Sequence, residues 1–367
     1  MPILNVNSDC AIRVGLKKRQ FKPVNYLLGF TLLELLVVIA LLGVVALAAT
    51  TLIIDTGEEK RKDATEKNWD AIRKAMVGDT TLSLNNSPNL SGFVVDMGRL
   101  PNNLRELMVR EFDDDNDPLT PPYFDQPAWS SIALSSAITG LSGTVTGTIS
   151  GGWRGPYLYA SGSDELRDGW MNKNNAVALD DALNFGWAVS ASVTSIQVKS
   201  LGDGGVVGGD DYDEDFPADS PTMTVHENDW LLTTASGTDF NIAFNKPPVT
   251  TVTNLQFRLY FFEDDPANPV NVAELIGDLV PSASGTFFEH GTSATSPSVQ
   301  AININQPLPI GKYAALVVCT NGASPTVVEA IYDGDCVANT PAPEKPYYFT
   351  LLPKATTPPI EIKWNIP

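Results

Sequence analysis

Histidine is almost missing from this chain. Its 367 residues include only His226 and His290, and neither lies in an H-E-x-x-H or comparable zinc-binding pattern. No G-x-S-x-G elbow occurs. The glycine-rich Gly202–Gly209 stretch lacks the G-K-[ST] that would make it a phosphate loop, so its glycines read as turn residues. Acids are so numerous (43 Asp and Glu) that no single pair singles itself out as a glycosidase dyad. The chain therefore reads as a non-enzyme. Basic residues are also scarce, 24 against those 43 acids, for a net charge of −19, which repels nucleic acid and anionic lipid surfaces, so nucleic acid is not expected as a partner. Internal repeats and long low-complexity tracts are absent. Only three cysteines occur, Cys10, Cys319 and Cys336, and there is only one long hydrophobic run.

That run organises the rest. Between Phe30 and Ile54 the one ionisable side chain is Glu34. As a helix, these residues would be about 37 Å long at about 1.5 Å each, enough to cross a hydrocarbon core of about 30 Å. A basic segment, Lys17-Lys18-Arg19 with Lys22, precedes it and an acidic, mixed-charge segment follows. Positive charge stays on the cytoplasmic side, so the C-terminal body is expected outside the inner membrane. Glu34 does not suit a plain anchor, because an unpartnered carboxylate in an apolar helix costs about 2–3 kcal/mol or more. A tolerated acid near the headgroups is the alternative.

The residues around it, Gly29-Phe30-Thr31-Leu32-Leu33-Glu34 followed by the apolar run, resemble the processing site of type IV prepilins and of the pseudopilins of type II secretion. The resemblance implies cleavage after Gly29 by a prepilin peptidase and N-methylation of the new terminal residue Phe30. It also implies a role for Glu34 in assembly with other pilin or pseudopilin subunits on an inner-membrane assembly platform. Residues 1–29 would then be a leader, removed together with Cys10. They carry five basic groups and one acid, leaving 19 basic against 42 acidic groups, net −23. The leader is long for the family, so a start codon further downstream stays open. A secretory signal peptide closed at Ala46, Ala48 or Ala49 is the competing reading, although the apolar run is long for one.

From Asp55 to about Val77 the helix is expected to continue, with Ala64, Ala71, Ile72, Ala75 and Met76 forming a narrow apolar stripe. After a Thr/Ser/Asn loop, Leu104, Leu107 and Met108 read as a helical turn begun after Pro101. The acidic Glu111–Pro118 stretch fails the EF-hand pattern, with Pro118 where glycine is required, and reads as a solvated loop. Asn184–Val189 and Ser195–Lys199 read as antiparallel strands. Trp153-Arg154-Gly155-Pro156-Tyr157-Leu158, the turn Asp168-Gly169-Trp170, and Ser200–Phe216 together resemble the body of the major, G-type pseudopilin. In that family the last loop wraps a calcium ion. Here Asp203, Asp213 and Asp215 are the candidate ligands that the resemblance supplies, with Gly204 standing where the family has its Asp. A solvated acidic hairpin loop is the alternative.

Beyond about Gly237 the reading is all-β: Phe240–Phe244, Leu255–Phe262, Tyr313–Val318, Thr326–Ile331 and Tyr347–Leu352 are separated by Pro and Gly clusters, as in a β-sandwich. Pro353–Pro359 reads as a loose tail. Cys319 and Cys336 are the only mature cysteines, and export favours a disulfide, with two free thiols as the alternative.

The expected class is α+β, a pilin fold with its long N-terminal helix packed on a small antiparallel sheet, plus a C-terminal β-sandwich-like domain. Its divisions fall at 1–29 (leader), 30–54 (membrane and filament-core helix), 55–236 (pilin-like domain) and 237–367 (β-rich domain). The functional expectation is a structural subunit of an envelope filament, a G-like pseudopilin. The alternative is a minor pilin or adhesin of a type IV pilus that displays the β-rich part.

Overall fold

The computed structural model describes residues 31–79, 83–84, 87–88, 90–113, 122–138, 141–142, 145–173, 178–208, 215–216, 223–232, 240–244, 255–265, 271–278, 299–302, 307–319, 329–332, 345–352 and 360–364. Contacts group the chain into two compact units, Met1–Thr56 and Gly57–Pro367. The class is α+β: a long N-terminal helix and small, mostly antiparallel sheets.

In the first unit the described structure is the start of helix α1, Leu32–Val77. Every large apolar side chain from Leu32 to Leu47 is exposed, from 45% at Val38 to 82% at Leu32. A helix that is apolar all round needs an apolar environment or other helices to cover it.

In the second unit α1 continues to Val77 and stops at Gly78, whose φ of +84° suits a glycine after a helix end. A Cβ there would stand 2.1 Å from the Ser91 carbonyl oxygen, so only glycine fits. The buried face of α1 keeps Ile72, Ala75 and Met76 of the expected stripe but not its two earlier alanines. Ala64 and Ala71 are exposed, while Glu58, Thr65, Trp69, Ile72, Ala75 and Met76 are buried. The stripe is rotated by about one residue near the start of the body because its contacts there are polar.

Trp69, Ile72 and Met76 join the first core with Phe93, Val94 and Met97 of α2 (Phe93–Met97), the 3-10 turn Leu104–Leu107, Leu158, Leu166, Phe185 and Trp187. Strands β1 (Ser130–Ala133) and β2 (Thr148–Gly151) form an antiparallel pair. A three-stranded antiparallel sheet follows, built from β3 (Ala188–Ala191), β4 (Ile196–Lys199) and β5 (Thr224–Val225) in the order β5-β4-β3. Ile196, Val198 and Val225 turn their side chains into the first core. The expected strand at Asn184–Val189 starts only at Ala188. Asn184 instead ends the helix Ala178–Asn184, and Phe185 and Gly186 take positive φ angles of 54° and 80° to turn the chain.

The later strands make two sheets over one second core. Strands β6 (Phe240–Phe244), β9 (Val299–Ile302) and β13 (Ile360–Trp364) form one, in the order β9-β6-β13, with β6 and β13 parallel. The other is six-stranded. Its path runs from β8 (Val272–Asp278) through β7 (Leu255–Phe262), β10 (Gly311–Cys319) and β11 (Glu329–Ile331) to Leu141–Ser142, and β12 (Tyr347–Leu351) also pairs with β10. Phe244, Ile362 and Trp364 of the first sheet and Phe257, Leu316 and Val318 of the second share a core, as in a sandwich. That core also takes in Leu134, Val145 and Ile149 from earlier in the chain, while Ile310 belongs to the first core.

Candidate functional site

Three of the sequence's candidate residues belong to the amino-terminal motif. Gly29 and Phe30 lie outside the described residues. Glu34 is described and forms a reciprocal cap at the start of α1. Its backbone N–H donates to Thr31 Oγ1 (3.2 Å), while its carboxylate accepts from the Thr31 N–H (3.1 Å) and from the Thr31 hydroxyl (3.1 Å). This is a capping box, T-x-x-E, which satisfies donors that a helix start otherwise leaves open. The pattern was present in the sequence but escaped notice there, because Glu34 was weighed only as a charge in an apolar run. The cap gives the acid a partner within its own chain, and the exposed leucines and valines that follow it form the surface by which such a helix associates.

A second constellation holds α1 to the body. Glu58 is buried, and its two carboxylate oxygens accept from Arg61 Nη1 (2.9 Å) and Trp170 Nε1 (2.9 Å). Thr65 Oγ1 donates to the Arg61 carbonyl and accepts from the Gly169 N–H, at 2.9 and 2.8 Å. The Asp168–Asn172 turn thus lies directly on the helix. Gly169 is required there, since a Cβ would come within 2.0 Å of the Arg61 carbonyl oxygen. Asp168 is 2% exposed and binds both its own turn and the next loop, accepting from Asn172 N, Asn172 Nδ2 and Ser200 Oγ.

The acidic loop beyond Ser200 is closed at its base by paired backbone bonds between Ser200 and Phe216, both 2.9 Å. The three candidate ligands are not brought together among the described residues. Asp203 reaches Arg61 Nη1 at 3.0 Å, Asp215 is nearly buried and accepts from Gly208 N at 3.1 Å, and Asp213 lies outside the described residues. Calcium asks for six to eight oxygens about 2.3–2.6 Å away. Among the described residues no three His, Cys, Asp or Glu side chains gather as a metal would need, so those present do not compose a cage. Cys319 ends β10 at 6% exposure, and Cys336 lies outside the described residues.

Two ionic clusters that the sequence did not reveal lie in the body, and the first of them reaches Asp264 after β7. Arg99 donates to Glu106 Oε2 (2.7 Å) and, through Nε and Nη2, to Asp264 Oδ2 (2.9 and 2.7 Å), and Gln126 Nε2 donates to Glu106 at 3.0 Å. Asp96, 2% exposed, accepts from the Tyr157 hydroxyl (3.0 Å) and pairs with Arg154 Nε (3.2 Å). Burial pushes its carboxyl above the usual carboxylate range, against the opposing pull of Arg154 and Tyr157.

A model of the prokaryotic N-terminal methylation motif matches residues 28–50, the same stretch that holds the capped start of α1. The match supports a type IV pilin-like or pseudopilin subunit, and the motif implies processing by a prepilin peptidase and assembly with other pilin subunits. No curated protein and no solved structure matches the chain. Among the described residues no helix is long and apolar enough to cross a membrane. The described side chains of the apolar run end at Leu47, whereas the run itself continues to Ile54.

Proposed function

We propose that this chain is a structural subunit of an envelope filament, a G-like pseudopilin of type II secretion without enzymatic activity. It is cut after Gly29, methylated at Phe30 and held by residues 30–54 as a single pass in the inner membrane, with its acidic body on the periplasmic side. The observation that carries the proposal is the methylation motif lying on the start of a helix whose large apolar side chains from Leu32 to Leu47 are all exposed. In the bundle, Glu34 exchanges its bonds to Thr31 for the Phe30 amine of a neighbouring subunit. A buried charge left without its partner costs about 3–5 kcal/mol, so this pair sets the axial register. The G-like assignment draws further support from the Asp168-Gly169-Trp170 turn docked on α1 beside the Ser200–Phe216 loop.

A disulfide between Cys319 and Cys336 belongs to the same proposal. Cys319 is disulfide-bonded and Cys336 is the only other cysteine left after processing. Thiol titration of the denatured mature protein, with and without reductant, tests it.

A second reading, a minor pilin or adhesin of a type IV pilus, is favoured by the two-sheet sandwich built from β6 to β13. Such bulk suits a low-copy or terminal subunit. Mass spectrometry of the native protein tests both readings at once: a mature N-terminus at N-methylated Phe30 is expected, and any other terminus overturns them. Quantitative immunoblotting of sheared filaments then separates a main subunit from a rare one.

A further inference from the structure

In the pseudopilin family whose body this chain resembles, the loop that corresponds to Ser200–Phe216 wraps a calcium ion. Here the same loop meets a cation that belongs to the chain. We propose that the Arg61 guanidinium is the resident cation of the 200–208 segment, so that the loop keeps its conformation without calcium. The inference rests on the reading of the body as G-like, since only there does a metal come into question.

Arg61 Nη1 donates to two acids from different elements: Glu58 Oε1 on the preceding turn of α1 (2.9 Å) and Asp203 Oδ1 on the loop (3.0 Å). Glu58 is held in place from its other oxygen by Trp170, and Gly169 packs on the Arg61 carbonyl. The guanidinium is therefore oriented by groups on α1 and on the Asp168–Asn172 turn before it reaches the loop. Both bonds come from one nitrogen, Nη1, so the contact is a charge-assisted bridge between two carboxylates rather than a bidentate fork.

The other described residues of the loop are tied by hydrogen bonds within the chain. Asn172 Nδ2 donates to the Gly202 carbonyl at 2.8 Å and to Asp168 Oδ2 at 2.6 Å, and Gly202 N donates to Ser200 Oγ at 3.2 Å. At the far side Gly208 N donates to Asp215, and the Ser200–Phe216 backbone pair closes the base. Among the described residues, the Asp203 carboxylate, the Gly202 carbonyl and the Asp215 carboxylate are thus engaged by a guanidinium, an amide side chain and a backbone N–H. A divalent ion recruiting Asp203 would also stand beside a fixed positive charge. The sequence already carried the clue, for Gly204 occupies the position where the family places its acid.

The test uses the full mature protein in detergent and reads hydrogen exchange across 200–208 together with the melting temperature, in chelator and in millimolar calcium chloride. The wild type is expected to behave identically in both. Arg61→Gln should raise exchange in this segment by about twofold to fivefold, the factor that a part-exposed ion pair supports. Asp203→Asn should do the same, and Arg61→Lys, which keeps the charge, should recover most of the protection. A calcium-dependent rise in wild-type melting temperature that is lost in Asp215→Asn would overturn the proposal. So would unchanged loop exchange in both Arg61→Gln and Asp203→Asn. Neither result depends on filament formation, so failure here leaves the subunit assignment standing.

Discussion

At the scale of single residues, polar side chains rather than apolar ones decide where α1 docks. Thr65 is fully buried because its hydroxyl joins the Arg61 carbonyl to the Gly169 N–H. Thr65→Val conserves shape but strands that N–H, at a cost of about 1–3 kcal/mol in chemical denaturation. Ile72 has no exposed surface, and Ile72→Ala should cost about 2–5 kcal/mol by the same measurement. Glu34 acts at a different step. Glu34→Val leaves the Gly29–Phe30 bond intact for the peptidase, so a processed subunit is expected on a gel with few or no sheared filaments; normal filament recovery would contradict the assembly role. Asp96 gives a pH signature. Its carboxyl titrates higher in the folded protein than in the unfolded chain, so between those two values the folded state holds the extra proton. Its contribution is therefore fully present at acid pH and declines as pH rises through the window above the ordinary carboxylate range. The stability of the wild type relative to Asp96→Asn should fall as pH rises through the window above the ordinary carboxylate range. A constant difference would mean that Asp96 titrates normally.

At the scale of elements, the sequence was legible wherever an apolar pattern persisted over several residues. The continuation of α1 to Val77 and the strands at 240–244, 255–262, 311–319 and 347–351 coincide closely with runs of aromatic and β-branched residues. Strand Ile360–Trp364 was missed although Ile362 and Trp364 alternate inward, because the proline-rich approach suggested a tail. Val272–Asp278 and Val299–Ile302 are edge strands, defined less by their own pattern than by the partner each one finds. Ala64 and Ala71 of the expected stripe were misplaced for a related reason: alanine is cheap to expose, whereas a hydrogen-bonded threonine or glutamate can be buried. Of the candidate site, Glu34 was legible as a motif. Its partner Thr31 was not weighed, and the Arg61–Asp203 pair joins residues too distant in sequence for spacing to reveal. At this scale Gly169→Ala is the most telling substitution. It should lift the Asp168–Asn172 turn off the helix at a cost of about 1–3 kcal/mol and accelerate exchange at the Thr65 end of α1.

At the scale of the molecule, residues 57–367 form one compact unit around two cores. The cores are stitched together by chain segments that change sides. Leu134, Val145 and Ile149 enter the later core, Ile310 enters the earlier one, and Leu231–Leu232 pairs with Leu308–Pro309. Arg99 adds a forked pair to Asp264 across the same boundary. Calorimetry of the mature protein is expected to show a single transition for this unit. Arg99→Ala should destabilise it by about 1.5–3 kcal/mol, because Glu106, which is 1% exposed, loses its charged partner and keeps neutral donors such as Gln126 Nε2. Two separate transitions in the wild type would instead mean that residues 237–367 fold independently.

One recurring detail gives this unit a native optical reporter. Trp153, Trp187, Trp230 and Trp364 donate their indole N–H to the carbonyls of Glu106, Leu166, Thr194 and Tyr332, while Trp170 alone donates to a carboxylate, that of Glu58. Four indoles are thus pinned to main-chain oxygens inside the fold, and the fifth senses a charge on α1 just past the apolar run. Emission from the unlabelled protein, compared with that of a Trp170→Phe variant, would isolate what this one ring experiences as subunits leave the bilayer and pack together.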